Sequence, residues 1–200
     1  MFGWFRRRSR AVFLDPGPLI DGDLELVTPD PRFIPDVLAS CHHPLTIQQA
    51  PDAARVTKDG LTRFLKHAPA GRHDGDLIRG SPSYHFWMKL TNGPVVIAGG
   101  IGFRIGSSPD LVTVVGHLGY NVYPPARGRH LAERSCRLLF PLARRHGYES
   151  VWITCNPDNI PSRRTCERLG GVLVDIVPVP PDNELYDRGD RQKCRYRIDL

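Results

Sequence analysis

The chain has 200 residues, 40% hydrophobic and 24% charged, with a formal net charge of +6 and five cysteines. That balance excludes a globally disordered chain, and an odd number of cysteines without C-x-x-C spacing excludes both a disulfide framework and a zinc ribbon. Arg6, Arg7, Arg8 and Arg10 all fall in the first ten residues, leaving only +2 for the other 190, so the basic charge belongs to the head and not to the body.

The opening MFGWFRRRSRAVFL sets its arginines after the aromatics and ends its apolar run at Asp15-Pro16, which is not the order of a secretory signal. Residues 1–21 read as a basic N-terminal extension and residues 22–200 as one domain. The extension reads as a frayed tail, with a membrane surface or nucleic acid as the alternative partners of its arginines. No apolar stretch reaches the ~20 residues of a membrane span. The chain therefore reads as soluble and cytoplasmic, with reduced thiols. The stretch Cys41-His42-His43-Pro44 has soft ligands but no second cluster, so no metal is expected.

After Gly22, DLELVT alternates like a strand, and Asp30-Pro31 then offers a helix cap followed by a proline at the first helical position. A helical stretch follows around Thr57 to His67. Three strand candidates come next: Tyr84 to Leu90, Val95 to Gly106 and Val112 to Tyr123, joined by turn residues into an antiparallel meander. The glycines of GGIGFRIG lack dinucleotide-loop spacing and lead into another strand, which predicts a bulged or close-packed strand. A helix over Leu131 to His146 is predicted from apolar spacing, with Gly147 as its stop and Pro141 expected to kink it. SVWITC then reads as a buried strand, NPDNIPSRRTCERLGG as a capped helix, and GVLVDIVPV and CRYRIDL as two further strands. Tyr186, Asp187, Arg188 and Asp190 fall in the long connection between those two.

The stretch YPPARGRHLAERS, Tyr123 to Ser135, places two prolines and an Arg-Gly turn before a helix N-terminus. Unpaired backbone N–H groups and the positive end of the helix dipole meet there, with Arg127, Arg129 and the bare Gly128 beside them. That combination suits a phosphate, although a solvated helix start would read the same way.

The ordered series Val122, Pro124, Arg127, Ala132, Asn159, Ser162 and Gly170, with its flanking elements, resembles the core of the GNAT-type N-acetyltransferases. The resemblance implies an α/β (α+β) fold: a mixed, mostly antiparallel central sheet flanked by helices, splayed between the strands at Val122 and Val151 to form an acyl-CoA cleft. It implies acetyl-CoA as acyl donor, with the main chain of Val122 and Tyr123 along the pantetheine. Arg127, Gly128, Arg129, His130, Leu131 and Ala132 would hold the pyrophosphate, and Asn159 and Ser162 would face the cofactor. The implied partner is an amine, on a small molecule or a protein, and not nucleic acid; a homodimer is left open.

Two positions depart from the family pattern. His130 stands where its loop has a glycine, and Cys166 stands where many members carry an acidic tyrosine, which makes Cys166 a candidate proton donor or else a small buried residue. No carboxylate lies in GHLGYNV, so His117 is the candidate base, with His85 and a water relay as alternatives. Those departures also keep a second function in view, a non-catalytic acyl-CoA-binding regulatory module.

Overall fold

A computed structural model describes residues 12–73 and 81–200, so the arginines of the head lie outside the described residues. Its strands are β1 (Ile20–Asp21), β2 (Leu24–Val27), β3 (Arg72–His73), β4 (Ser83–Leu90), β5 (Ile97–Arg104), β6 (Leu118–Val122), β7 (Ser150–Cys155), β8 (Val172–Pro178) and β9 (Gln192–Asp199). The helices are α1 (Ile34–Cys41), α2 (Pro44–Gln49), α3 (Lys58–His67), α4 (Leu131–Arg145), α5 (Ile160–Arg168) and α6 (Glu184–Asp187). One sheet runs β1-β2-β4-β5-β6-β7-β9-β8, with β3 paired to β4. Every pairing is antiparallel except that of β6 with β7. This is the mixed, mostly antiparallel sheet that the sequence predicts.

Alternation along the strands splits the apolar residues between two layers. Tyr84, Phe86, Ile101, Phe103, Leu118, Val151 and Ile153 meet Leu131, Cys136, Leu139 and Leu142 of α4 on one face. On the other face Trp87 and Ile97 meet Val37 and Cys41 of α1, with Phe64 and Leu65 of α3 beside them. Pro141 sits inside α4, which continues to Arg145. Residues 12–21, predicted to lie outside the domain, pack on it: Phe13 and Leu14 lie against the main core, and the Tyr84 hydroxyl accepts from Leu14 N at 2.6 Å.

The predicted strand over Val112 to Tyr123 is shorter than its composition suggests. Leu111–Val115 forms a single wide helical turn instead, and β6 begins only at Leu118. Leu111 and Val114 bury their side chains in that turn, and Gly116, at φ 79°, supplies the left-handed residue that ends it. Tertiary burial overrides the strand preference of the β-branched run. The glycines of β5 behave as predicted. A Cβ on Gly99 would collide with the carbonyl oxygen of Asn121 on β6, and a register shift falls at Met88/Lys89.

His85 on β4 lies beneath Phe64, with ring centroids 5.7 Å apart, and its Nε2 is 3.0 Å from Ser83 Oγ. Burial, helped by the charge of Arg104, lowers its pKa from 6.5 to about 4. Between those values the unfolded chain binds a proton that the folded chain refuses, so stability falls as pH drops through the window and levels off below it. The expected loss from His85 is up to about 3 kcal/mol. His117 and His146 are also lowered by burial and add to the same slope. Urea midpoints at pH 7 and pH 5 should show this fall, and His85→Gln should flatten it; an equal slope in the variant would contradict the assignment.

Candidate functional site

β6 and β7 touch at one register pair, Leu118 with Ile153. His117 fastens them at that point: its N–H donates to Trp152 O at 2.7 Å, and its ring Nδ1 accepts from Trp152 N at 2.9 Å. Beyond Leu118 no pairing joins the two strands. β6 stays attached to β5 as far as Val122, β7 stays attached to β9, and the sheet opens between them. Pro124–Ala126 then forms a single 3-10 turn that ends the strand and leads into Arg127.

On the α4 side this gap widens into a cleft of about 670 Å³, lined by residues of β6, the turn after it, and the first turns of α4 and α5. Val122, Arg127, Gly128, His130, Leu131, Ala132, Asn159 and Ser162 all line it, as does Tyr120. No side chain caps α4, whose first helical hydrogen bond runs from Arg134 N to His130 O at 3.0 Å. The amides before Arg134 have no intrahelical acceptor and, with the dipole behind them, make the cleft floor receptive to an anion. His130 adopts φ 55° and ψ 24° at the cap, a left-handed conformation that costs most side chains about 1–2 kcal/mol. That conformation gives a physical reason for glycine at the corresponding place in the family pattern. Arg127 and Arg164 add positive charge along the wall, and Arg168, also there, is paired with Glu133 at 2.9 Å. Asn159 caps α5, its Oδ1 accepting from Ser162 N at 3.1 Å.

The remaining predicted site residues lie elsewhere. Arg129 turns from the cleft to pair with Asp23 and to donate to Asn92 O at 2.6 Å. The carboxylate of Asp23, held between Arg134 and Arg129, is lowered below its ordinary pKa chiefly by the Arg134 hydrogen bond. The Tyr123 hydroxyl accepts from Cys41 Sγ at 3.2 Å, and its N–H is spent on Ala98 O at 2.8 Å.

Neither predicted catalytic side chain reaches the cleft. His117 is 3% exposed, and both ring nitrogens are engaged, Nδ1 as acceptor and Nε2 with Gly106 O at 3.0 Å. That fixes a neutral ring with its proton on Nε2, and burial lowers its pKa further. A histidine so held is a clamp between strands and has no lone pair to offer a substrate. Cys166 is wholly buried, and its hydrogen bond with Cys155, together with burial, pushes its thiol up.

Tyr120 and Ser162 border both the cleft and a slit that continues from it, and their hydroxyl oxygens are 3.0 Å apart. Burial pushes the Tyr120 phenol up, so it stays protonated. The pairing of Tyr120 with Ser162 spans 42 positions and leaves no mark in local sequence.

A narrower slit of about 180 Å³ continues through the sheet, bordered by Gly119 and Tyr120 on β6, Thr154 and Cys155 on β7, and Ser162 and Lys193. Lys193 Nζ donates to Asn156 Oδ1 at 2.6 Å and to Asp190 Oδ2 at 2.7 Å, which closes one end of the slit with a satisfied ion pair. Among the described residues no group of metal-ligating side chains could hold an ion, and no helix is long and apolar enough to cross a membrane.

A family profile described as an acetyltransferase (GNAT) domain matches residues 24–172. No curated protein matches the sequence. Among solved structures, the microcin C7 self-immunity acetyltransferase MccE, in complex with acetyl-CoA and AMP, superposes with a TM-score of 0.64 at 14% identity, over 90% of this chain and 94% of that one. The ribosomal L7/L12 alpha-N-protein acetyltransferase RimL, in complex with CoA, gives 0.65 at 15% identity, over 92% and 98%. A GNAT-family acetyltransferase from Bacillus anthracis gives 0.62 at 16% identity, over 91% and 98%. With the profile spanning most of the described domain and a sheet that opens at the predicted strands, the chain belongs to the GNAT acetyltransferase family.

Proposed function

We propose that the chain is an N-acetyltransferase that moves an acetyl group from acetyl-CoA to a primary amine by direct attack. The observation that carries this reading is the opening of the sheet beside the uncapped start of α4, where backbone amides and Arg127 converge on one cleft. The residues fit the group. An anion-binding helix start faces a cavity large enough for a nucleotide-sized ligand, and the edge of β6 between Tyr120 and Val122 has no strand partner on the β7 side.

When bound, acetyl-CoA supplies a thioester, and attack by the neutral amine forms the C–N bond as the C–S bond breaks. The Tyr120–Ser162 pair stands where a proton can be given to the departing sulfur, and the backbone beside Val122 can donate to the carbonyl oxygen. Among the described residues no carboxylate lines the cleft, and Asp190 at the end of the slit is held by Lys193, so the amine's proton leaves through water. The acceptor is a small molecule or a protein, and the five unpaired thiols suit a reducing cytoplasm.

That same lack of an unpaired carboxylate among the described residues of the cleft and slit favours the second reading, a regulatory module that binds acyl-CoA without turnover. An amine panel with detection of free thiol separates the two. Release of CoA that depends on the amine supports the enzyme, and saturable binding without release supports the module.

Arg127 and Arg129 should separate equally cleanly. Arg127 lines the cleft and is anchored through Nε to Val122 O at 3.1 Å and through Nη1 to Gln49 Oε1 at 2.7 Å. Arg127→Ala is expected to weaken acetyl-CoA binding by roughly 1.5–3 kcal/mol. Arg129→Ala should leave that affinity unchanged and lower the melting temperature instead, because it removes one of the two arginines on Asp23 and the bond to Asn92 O. Calorimetry and thermal melts of both variants check this; an equal loss of affinity in the two would return Arg129 to the cofactor site.

A further inference from the structure

The face of the sheet turned away from α4 carries a bare strip. Gly102 of β5 sits between His85 and Gly119 in register, and Gly100 sits between Trp87 and Asn121. Gly102 is buried against the His85 ring, whereas the space over Gly119 is filled by the Arg104 guanidinium, which therefore stands between that backbone and a ligand approaching the slit from this side.

The charges on this face are nearly all answered. Arg195 Nη1 pairs with Asp175 at 2.9 Å and Nε donates to Val112 O at 3.1 Å, with the guanidinium over Trp152. Lys193 is held by Asp190. Glu184 lies 3.7 Å from Arg188. Arg104 is the exception. Half-buried at the end of β5, it makes one hydrogen bond among the described residues, Nη1 to Gly116 O at 3.0 Å, and no carboxylate of those residues is within ion-pair distance. Glu184 acts on it only through space, and burial lowers it to about 10, which still leaves it cationic at neutral pH.

Its terminal nitrogens lie 3.0 Å from where a Cβ on Gly119 would stand, and Gly119 borders the slit. A half-buried guanidinium with one hydrogen bond among the described residues, beside a glycine that borders the slit, is placed to receive a planar anion.

We propose that the acceptor is a small amine bearing a carboxylate, which Arg104 holds at the far mouth of the slit while the amine enters it. This rests on the acetyl-transfer reading above and names its substrate class.

The test gives the full-length chain acetyl-CoA with matched acceptors, free amino acids and their C-terminal amides, and follows thiol release. The wild-type chain should use the free acids at least about tenfold better in kcat/KM. Arg104→Gln should bring the ratio near one with acetyl-CoA affinity unchanged. Gly119→Ala, whose methyl displaces the guanidinium without removing it, should raise KM for the free acids alone. If Arg104→Gln does not fold, the wild-type ratio and Gly119→Ala decide.

Amides used as well as acids by the wild-type chain would overturn this proposal and leave acetyl transfer standing. A preference for acids that survives Arg104→Gln would overturn the role of Arg104. No thiol release with any amine, while acetyl-CoA still binds, would overturn the acetyl-transfer reading and this proposal with it.

Discussion

Tyr120→Phe combined with Ser162→Ala is expected to lower kcat for acetyl transfer about 10²- to 10⁴-fold, the range that a positioned proton donor contributes. The two hydroxyls are 3.0 Å apart at the place where the cleft narrows into the slit. Burial holds the Tyr120 phenol in its protonated form, so it can donate but does not compete as an anion. Phenylalanine keeps the ring that packs against the core, and alanine is tolerated on α5 because Asn159 caps the helix through the backbone N–H of Ser162, not its hydroxyl. Acetyl-CoA affinity should therefore stay within a few-fold. Each single variant should lose less than the double, since either hydroxyl can relay a proton from water. Steady-state rates with calorimetry for the three variants check this, and an undiminished kcat in the double variant would assign the proton to solvent.

The second large effect is on stability. His117→Ala is expected to cost about 3 kcal/mol, from the cavity left by a buried ring and from stranding the Trp152 N–H, while Gly106 O keeps the Tyr148 hydroxyl as donor. The loss should appear in urea denaturation at pH 7 without any ligand. Because the clamp lies at the apex where β6 and β7 part, acetyl-CoA affinity should fall as well. A base would behave differently: the variant would fold with undiminished stability and lose turnover, and the acid limb of the pH–rate profile would move. That outcome would restore His117 to catalysis.

Local chemistry made much of the fold legible. Asn159 before Ile160-Pro161, the glycines at 170 and 171 and the alternation of SVWITC specify their elements from neighbours in sequence, and β7 spans Ser150–Cys155 as predicted. The cleft residues Arg127, Gly128, His130, Leu131 and Ala132 were legible for the same reason, since a proline-bounded turn before a helix concentrates unpaired amides. What escaped depends on contacts distant in sequence. The run Val112 to Val115 has strand composition, yet Thr154 Oγ1 and Arg195 Nε bind the carbonyls of Val114 and Val112 and hold it as a turn. Arg129 looks identical to Arg127 on paper and is diverted by Asp23, more than a hundred positions away. His117 suggests a base by its pKa class alone, and only the placement of Gly106 and Trp152 shows that both its nitrogens are taken.

The central claim, that the gap between β6 and β7 is an acetyl-CoA site read by the bare start of α4, is tested most directly by calorimetric titration of the wild-type chain with acetyl-CoA. The account predicts saturable one-to-one binding with a Kd of roughly micromolar order, competed by free CoA. Absence of binding heat at millimolar acetyl-CoA, with the chain folded, would contradict it.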